Sequence, residues 1–278
     1  MTGPPGTGKS TLINQLARVY RGRDQRVGVV AVDPSSPSSG GALLGDRVRM
    51  RDLAGDPGVF VRSMATRGAM GGVAGDTSRA VEILDAAGYD VILIETVGVG
   101  QDEVEVARVA QTVIVVDAPG LGDDIQAIKA GLIEIADILV VNKADHDGAD
   151  QAVRSYQMVV EMAQVSRPAG DGLERETWKV PVCRTVATDG SGISDLASWI
   201  DAHRSYLQRS GRLAEREQER VRAELEMLLR QALLASFLAG LEPGKLDGLV
   251  AHVARREMTL YQALQELGIP LEGSDREP

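Results

Sequence analysis

The first ten residues contain a run whose spacing suits the binding of a nucleotide's phosphates. Residues 3–10 read GPPGTGKS, which matches the pattern G-x-x-x-x-G-K-[ST]. Glycines in such a loop let backbone N–H groups turn inward around phosphate oxygens, and the following helix adds its dipole. We expect Lys9 to reach the β- and γ-phosphates and the Ser10 hydroxyl to ligate magnesium. A Gly/Pro turn with a chance lysine is the plainer alternative. The residues expected to hold the phosphates are Gly3, Gly6, Thr7, Gly8, Lys9, Ser10 and Thr11.

A second motif predicts which base is bound. Asn142, Lys143 and Asp145 directly follow the apolar run 138–141. An aspartate there can accept hydrogen bonds from the N1–H and 2-amino groups of guanine, and adenine offers neither donor, so a desolvated Asp145 would reject it. We expect Asn142 to tether neighbouring loops and the Lys143 stem to cover the base. The Ala187 N–H, at the end of a later strand, could donate to the guanine oxygen. A plain surface turn is the alternative.

Three acidic residues are candidates for the magnesium side of the site. Glu95 ends an apolar run and precedes Gly98, whose N–H could sense the γ-phosphate. Asp33 ends another such run, and Asp46 lies in a Gly/Ser-rich stretch that could close on the ion. Each carboxylate could instead be a helix cap or a turn residue. Because magnesium usually takes one or two carboxylates and keeps several waters, we do not expect all three to touch it.

The elements that must position these residues are short β-branched strands separated by helices. Strict alternation is absent from the strands, which is typical when both faces are covered. Aromatic residues make up only 3% of the chain, so its apolar residues are mainly Val, Ile, Leu and Ala, which is typical of parallel sheets covered by helices. We therefore expect an α/β fold with a doubly wound, mostly parallel sheet that binds its ligand at the carboxyl ends of the strands. The predicted strands are 27–32, 59–61, 91–94, 112–116, 138–141 and 180–186.

Composition limits the partners. The net charge of −10 argues against nucleic acid or an anionic membrane. The single cysteine, Cys183, excludes an intrachain disulfide framework and fits a reducing compartment. Neither a signal peptide nor an apolar run of membrane-spanning length is visible in the sequence. We expect a cytoplasmic protein.

The chain changes character after about Trp199. We predict a domain over 1–200 and a helical region over 201–278, with one long helix at 201–239 that breaks near Gly211. The i,i+4 pair Arg220 and Glu224 is expected on its solvated side. A last helix pair follows up to Gly268. The long helix carries an apolar stripe at helical spacing, made of Val221, Leu225, Leu228, Leu229, Ala232 and Leu233.

With these motifs in place, the sequence closely resembles the MeaB/ArgK-type P-loop GTPases, the chaperones of cobalamin-dependent acyl-CoA mutases such as methylmalonyl-CoA mutase. The resemblance covers nearly all of residues 1 to about 200 and is carried by DPSSPSSGGALLGDRVRM, FVRSMATRGAMGGVAGDT, AGYDVILIETVGVGQDEVEV and DAPGLGDDIQAIKAGLIEIADILVVNKAD.

The resemblance implies roles for particular residues. Asp33, Asp46 and Glu95 become the magnesium-side acids, and 33–51 and 95–105 become the switch regions. The run 119–129 resembles an additional switch that couples nucleotide state to the mutase, although an ordinary loop leading into an amphipathic helix would look similar. The residues expected to make this coupling are Arg49, Asp123, Asp124, Gln126 and Lys129.

The implied function is that GTP binding and hydrolysis gate the delivery of adenosylcobalamin to a mutase and protect the mutase from inactivation. Lys9, Asp33 and Glu95 would serve hydrolysis. Gln101 is the nearby residue that resembles a water-positioning glutamine, but it lies several residues past Gly98. No arginine finger is evident, so we expect slow intrinsic hydrolysis and a partner that completes the site. The C-terminal region resembles a dimerisation arm, and its apolar stripe could instead pack on its own domain.

Three other functions are compatible with parts of this pattern. A nickel-inserting metallochaperone GTPase would need Cys/His clusters, and the chain has one cysteine and three scattered histidines. An amino-acid transport kinase, suggested by the family's older name, should prefer ATP. A scaffold that keeps GTP as a structural ligand would not turn it over.

The start of the chain raises a separate expectation. Only Met1 and Thr2 precede the phosphate loop, whereas the motif normally follows a buried strand, which in the family follows a helical segment. We expect this strand and this helical segment to be missing. The backbone N–H and C=O groups of the two neighbouring strands would then lack partners, and the loop would be held only by its helix. That cost would rival a total stability of about 5–15 kcal/mol. Met1 is then expected to be an internal methionine of a longer protein. The alternative is a divergent start whose strand comes from a neighbouring segment or a partner.

Overall fold

The computed structural model describes residues 1–34, 53, 55–66, 72–96, 109–120, 132–165 and 177–269. The chain divides into two compact units, Met1–Met227 and Leu228–Pro278. The elements in chain order are α1 (Lys9–Arg21), β1 (Val27–Pro34), β2 (Val59–Thr66), α2 (Gly72–Ala86), β3 (Val91–Thr96), β4 (Ile114–Asp117), α3 (Leu132–Ile135), β5 (Ile138–Val141), α4 (Ala149–Val165), β6 (Val182–Arg184), α5 (Ile193–Arg209), α6 (Arg212–Ala239), α7 (Lys245–Ala254) and α8 (Leu260–Glu266).

Every strand pair among the described residues is parallel. One sheet has the order β2-β1-β3 and the other has the order β4-β5-β6. In the first sheet Val29 of β1 lies opposite Val61 on one side and Leu93 on the other. Parallel strands expose both faces to covering helices, which explains their continuous β-branched sequences. The predicted α/β arrangement with a parallel sheet is confirmed.

The two residues before the phosphate loop join the sheets. The Met1 amino group donates to the Ile94 carbonyl (2.7 Å), and Thr96 N–H donates to the Met1 carbonyl (3.1 Å). On the other side, Thr2 N–H donates to the Ile114 carbonyl (2.9 Å), and the Thr2 carbonyl accepts from Val116 N–H (2.8 Å). The expectation that only its helix would hold the loop is therefore wrong, because these bonds attach it to β3 and β4 as well.

Helices cover both faces of β4 and β5. Ile114 and Val116 of β4 face a core cluster that contains α1, whereas Val113 and Val115 face a cluster that contains α4. Alternation along the strand sends neighbouring side chains to opposite faces. α1 contributes its stripe of apolar residues, and burial of each large one contributes about 1.5–3 kcal/mol. The residues of this stripe are Leu12, Ile13, Leu16, Ala17 and Tyr20.

Buried Asp137, just before β5, attaches the start of α6 to the sheet. Its carboxylate receives two hydrogen bonds from Arg216 of α6 (2.8 and 3.0 Å) and one from Val113 N–H (2.8 Å). His203 Nε2 lies 3.3 Å away, and Trp178 Nε1 donates to the Asp137 backbone carbonyl (2.8 Å). This charged group is thus surrounded by donors at the amino-terminal end of β5, the end away from the phosphate loop.

A second arginine ties α6 to α2. Arg220 donates to Ser78 Oγ (2.9 Å) and Glu82 (3.1 Å) of α2, and it also pairs with Glu224 (3.1 Å). Its side chain is 18% exposed, so its predicted place on a solvated face is wrong. The contact explains why the first compact unit extends to Met227 and not to residue 200. The division into a GTPase domain and an arm by function stays a prediction.

Other element boundaries differ from expectation in small ways. The predicted break near Gly211 is confirmed, because Gly211 adopts a left-handed backbone (φ 75°) between α5 and α6, whereas α5 begins before residue 201, at Ile193. The predicted last helix pair is confirmed as α7 and α8, and α8 begins with a capping box between Thr259 and Gln262. No helix in the described ranges combines the length and the apolar character needed to cross a membrane.

The Asp137 cluster makes a testable contribution to stability. Burial raises the pKa of the Asp137 carboxyl, but hydrogen bonds and charges from His203 and Arg216 outweigh burial and hold it below its usual range. Ionised Asp137 therefore stabilises the fold above the unfolded pKa of about 4, and this contribution is lost as pH falls through the lower folded pKa. We expect Asp137→Asn to lower the free energy of unfolding by about 2–3 kcal/mol at pH 7, measured by urea denaturation.

The matched control is Asp85→Asn, at an exposed carboxylate on α2. It should change stability by less than about 0.5 kcal/mol. The deficit of the Asp137 variant should stay constant above about pH 5 and shrink below about pH 4. A deficit that does not depend on pH would contradict the role of the carboxylate charge.

Candidate functional site

The phosphate loop needs glycine at three positions for two different reasons. Gly3, Gly6 and Gly8 all have positive φ angles, of 139°, 82° and 89°. A Cβ on Gly3 would lie 2.0 Å from the Val116 carbonyl oxygen, and one on Gly8 would lie 2.5 Å from Asn142 Nδ2. Gly6 meets no such obstacle and needs only its backbone conformation. The loop is thus closely fitted to β4 and to the segment after β5.

Lys9 lies inside the curve of this loop. Its ammonium donates to the carbonyls of Gly3 and Pro4, both at 2.8 Å, and the residue is 6% exposed. Helix α1 starts here, and its N-cap, Gly8, supplies no side-chain hydrogen bond. The first N–H groups of α1 and the Lys9 ammonium therefore form a compact donor set, which suits phosphate oxygens.

Ser10 and Glu95 form the candidate magnesium position. Ser10 Oγ donates to Glu95 Oε1 at 2.6 Å, and both residues are less than a tenth exposed. A hydroxyl and a carboxylate at the end of a strand are the oxygen ligands that magnesium prefers. Asp33 lies on β1, two residues beyond Ala31, the register partner of Glu95. Its side chain lies outside the described part of the structure.

Asn142 connects the two predicted motifs. Its Nδ2 donates to the Thr7 carbonyl (2.8 Å), and its Oδ1 accepts from Thr185 Oγ1 (3.0 Å) and Ala187 N–H (3.1 Å). The side chain is buried, with 2% exposure of the residue. The phosphate loop, the end of β5 and the segment after β6 therefore share one amide group.

The segment that follows Asn142 presents Asp145 to solvent. Lys143 takes a left-handed backbone (φ 54°), and Ala144 N–H donates to the Thr185 carbonyl (3.0 Å). The Asp145 side chain is 55% exposed, with His146 Nε2 3.9 Å away. An exposed carboxylate on an anchored turn is placed to receive hydrogen bonds from a base that lies over the site.

Ala187 is held from both sides. Its N–H donates to Asn142 Oδ1, and its carbonyl accepts from Gln15 Nε2 of α1 (3.1 Å). A guanine oxygen would share or displace the first of these bonds. Sequence reasoning missed Gln15 and Thr185, because neither belongs to a motif. The sequence offered only weak signals for them, namely a polar residue in the middle of α1 and a threonine just after β6.

The remaining predicted site residues cannot be placed. They lie outside the described residues, and their roles stay predictions. They are Arg49, Asp46, Gly98, Gln101, Asp123, Asp124, Gln126 and Lys129.

Soft metal ligands do not gather within the described ranges, where no group of three or more His, Cys, Asp or Glu side chains could hold a metal ion. Cys183 is buried in β6, and burial raises the pKa of its thiol to about 12. A protonated, buried thiol is a poor metal ligand. The Nδ1 atom of His203 is hydrogen-bonded to Thr112 Oγ1 (2.9 Å), and its Nε2 atom lies 3.3 Å from the Asp137 carboxylate.

Comparison with known proteins agrees with this geometry. The family model described as methylmalonyl Co-A mutase-associated GTPase MeaB matches residues 1–242. A putative GTPase of Pyrococcus abyssi is 46% identical over 95% of this chain and 79% of its own length. GTPase ArgK of Escherichia coli is 38% identical over 83% of this chain and 67% of its own. The methylmalonic aciduria type A homolog of Mus musculus is 37% identical over 85% and 56%.

A solved structure extends the likeness to three dimensions. The crystal structure of an LAO/AO transport system kinase superposes with a TM-score of 0.67 at 28% identity, covering 96% of this chain and 78% of that one. Together with the loop at Gly3–Ser10, this shows a P-loop GTPase fold. The chain belongs to the MeaB family of methylmalonyl Co-A mutase-associated GTPases.

Proposed function

We propose that the protein binds GTP with magnesium, hydrolyses it to GDP and phosphate, and uses this cycle to gate cofactor loading into a cobalamin-dependent acyl-CoA mutase such as methylmalonyl-CoA mutase, which it also protects. The observation that carries the proposal is the buried Asn142 amide, which bonds to the phosphate loop at Thr7. Phosphate donors and the candidate base acceptor are thereby held on one edge of the sheet, in a chain of the MeaB family.

Each part of the site has a role in this proposal. Lys9 and the first N–H groups of α1 would neutralise and hold the phosphates. Ser10 and Glu95 would hold magnesium, which would supply positive charge to offset the negative charge that develops during phosphoryl transfer. Asp33, two residues beyond the register partner of Glu95 on the neighbouring strand, would help to hold the same ion. Asp145 would select guanine.

Base selection can be tested by changing one functional group. In Asp145→Asn, an amide N–H₂ replaces an acceptor, so it opposes the guanine 2-amino group but can donate to the 2-oxo group of xanthine. We expect GDP affinity to fall about 100-fold and the affinity for xanthosine diphosphate to rise, measured by calorimetric titration. The control is Asp147→Asn, an exposed carboxylate two residues further on. Unchanged GDP affinity in Asp145→Asn would contradict the assignment of the base.

Coupling to a mutase is the finer part of the proposal, and it is supported by the family to which the chain belongs. The described site contains the Lys9 ammonium and the oxygen ligands of Ser10 and Glu95, while its remaining predicted switch residues lie outside the described ranges. Catalytic groups that a partner orders or supplies can raise GTP turnover by several orders of magnitude.

The experiment measures phosphate release from GTP and from ATP by the protein alone and with methylmalonyl-CoA mutase. We expect slow turnover alone, at least tenfold faster turnover of GTP with the mutase, and no stimulation with bovine serum albumin at equal concentration. Equal rates with and without mutase would contradict partner activation. Absence of turnover in both would favour a scaffold that keeps GTP as a structural ligand, and preference for ATP would favour a kinase.

The apolar stripe of α6 supports a homodimer as part of the same proposal. α6 buries none of its residues, and Leu229 and Leu233 are 50% and 68% exposed. The alternative is that the stripe packs on its own domain. A continuous apolar stripe on an exposed helix is typical of a helix that pairs with another.

A paired substitution tests the dimer. We expect Leu229→Asp with Leu233→Asp to convert a dimer to a monomer, because two charges would have to be desolvated at the interface. The measurement is the mass by sedimentation equilibrium. The control, Ala223→Asp, places the same charge at an exposed position on the opposite side of α6 from the stripe and should remain dimeric. A wild-type protein that is monomeric at micromolar concentration would overturn this part of the proposal.

A further inference from the structure

A buried aspartate at the end of β4 holds both ends of the candidate base-recognition segment. Asp117 closes β4 and is 5% exposed. Its backbone carbonyl accepts from Asn142 N–H (2.8 Å), where the segment 142–148 begins. Its carboxylate accepts from the Tyr156 hydroxyl (2.6 Å) on α4, the helix that starts directly after this segment.

The rest of the segment has few attachments of its own. Its turn from Asp145 to Gly148 is exposed. Ala144 N–H bonds to the Thr185 carbonyl, and the other described backbone bonds in this stretch are short-range turns. The position of Asp145 therefore depends on where the two ends are fixed. One end is fixed through Asn142 and the other through α4.

The polar pair at Asp117 and Tyr156 is an unusual choice for this place. The Tyr156 ring belongs to the apolar cluster between β4, β5 and α4, and burial together with the hydrogen bond to Asp117 raises the pKa of its hydroxyl. A phenylalanine facing an apolar strand end would fill the same volume without the cost of burying a carboxylate. The hydrogen bond fixes the rotation and depth of α4 more narrowly than apolar packing does, because it is directional.

α4 does not need this bond to stay on the sheet. It packs through Ala152, Val153 and Val160, and Asp150 forms an ion pair with Arg184 of β6 (2.5 Å). Loss of the Tyr156 hydroxyl should thus leave α4 in place but free to shift by a small amount. Small displacements of a positioned group weaken its interactions strongly.

We propose that Asp117 and Tyr156 are positioning residues that set guanine selectivity, by fixing the start and the end of the segment that carries Asp145. The inference rests on the proposed guanine-nucleotide binding and deepens it. Neither residue touches the nucleotide. Their effect is transmitted through Asn142 N–H on one side and through the first two turns of α4 on the other.

The test compares affinities for GDP and inosine diphosphate, which lacks the 2-amino group that Asp145 would accept. The measured quantity is the ratio of the two dissociation constants, determined by calorimetric titration on the full chain. We expect Tyr156→Phe to lower the wild-type preference for GDP about fivefold. Asp117→Asn keeps the backbone carbonyl and a weaker acceptor, so it should lower the preference by a smaller factor.

Tyr20→Phe is the matched control. Tyr20 is equally buried (1% exposed) on α1, and its hydroxyl has no hydrogen-bond partner among the described residues. We expect its preference for GDP to equal that of the wild type. Thermal unfolding without nucleotide reports any general loss of stability, which by itself would leave the ratio unchanged.

The outcomes separate this inference from the proposed function. A wild type that prefers GDP, with Tyr156→Phe showing the same ratio as Tyr20→Phe, would overturn the positioning role alone. If Tyr156→Phe does not fold, the ratio for Asp117→Asn decides, and a wild-type ratio there would overturn the inference. A wild type that binds ADP as tightly as GDP would overturn the guanine assignment and the inference with it.

Discussion

The candidate site depends on the burial of one neutral amide, that of Asn142. This side chain donates one hydrogen bond and accepts two, and these bonds join the phosphate loop, the end of β5 and the segment after β6. A buried amide that lost one of these partners would incur a desolvation cost of about 1–3 kcal/mol. The loops are therefore held at a fixed spacing by the cost of separating them. Gly8 is part of the same constraint, since a Cβ there would overlap the amide.

Strand β5 carries buried polar groups at both ends, and they differ in character. At the carboxyl end Asn142 is neutral and bonds mainly to backbone and hydroxyl groups. At the amino end Asp137 is charged and is met by Arg216. The charged end attaches α6, so the helix that carries the apolar stripe is fixed to the sheet by an ion pair at its first turns.

Much of the fold could be predicted from the chain because its causes are local. The run 138–141 forms β5 with those bounds, and the break at Gly211 follows from a backbone angle that glycine adopts readily. Long-range pairing was harder to predict. With only Met1 and Thr2 before the phosphate loop, the neighbouring strands were expected to lack backbone hydrogen-bond partners. These two residues nevertheless bond to both β3 and β4. Arg220 looked like one member of a surface pair until the fold placed α2 beside it.

The sequence by itself determined the phosphate loop, the motif of Asn142, Lys143 and Asp145, and the family resemblance, because each depends on residue types at fixed short spacings. The tertiary structure alone decided which distant groups share a hydrogen bond. Gln15 meets Ala187, Ser10 meets Glu95, and Tyr156 meets Asp117 across separations of 172, 85 and 39 residues. Such contacts are set by strand order and by which face of a helix turns inward. Neither strand order nor the inward face of a helix can be read from spacing along the chain, so these partners can be identified only in the folded structure.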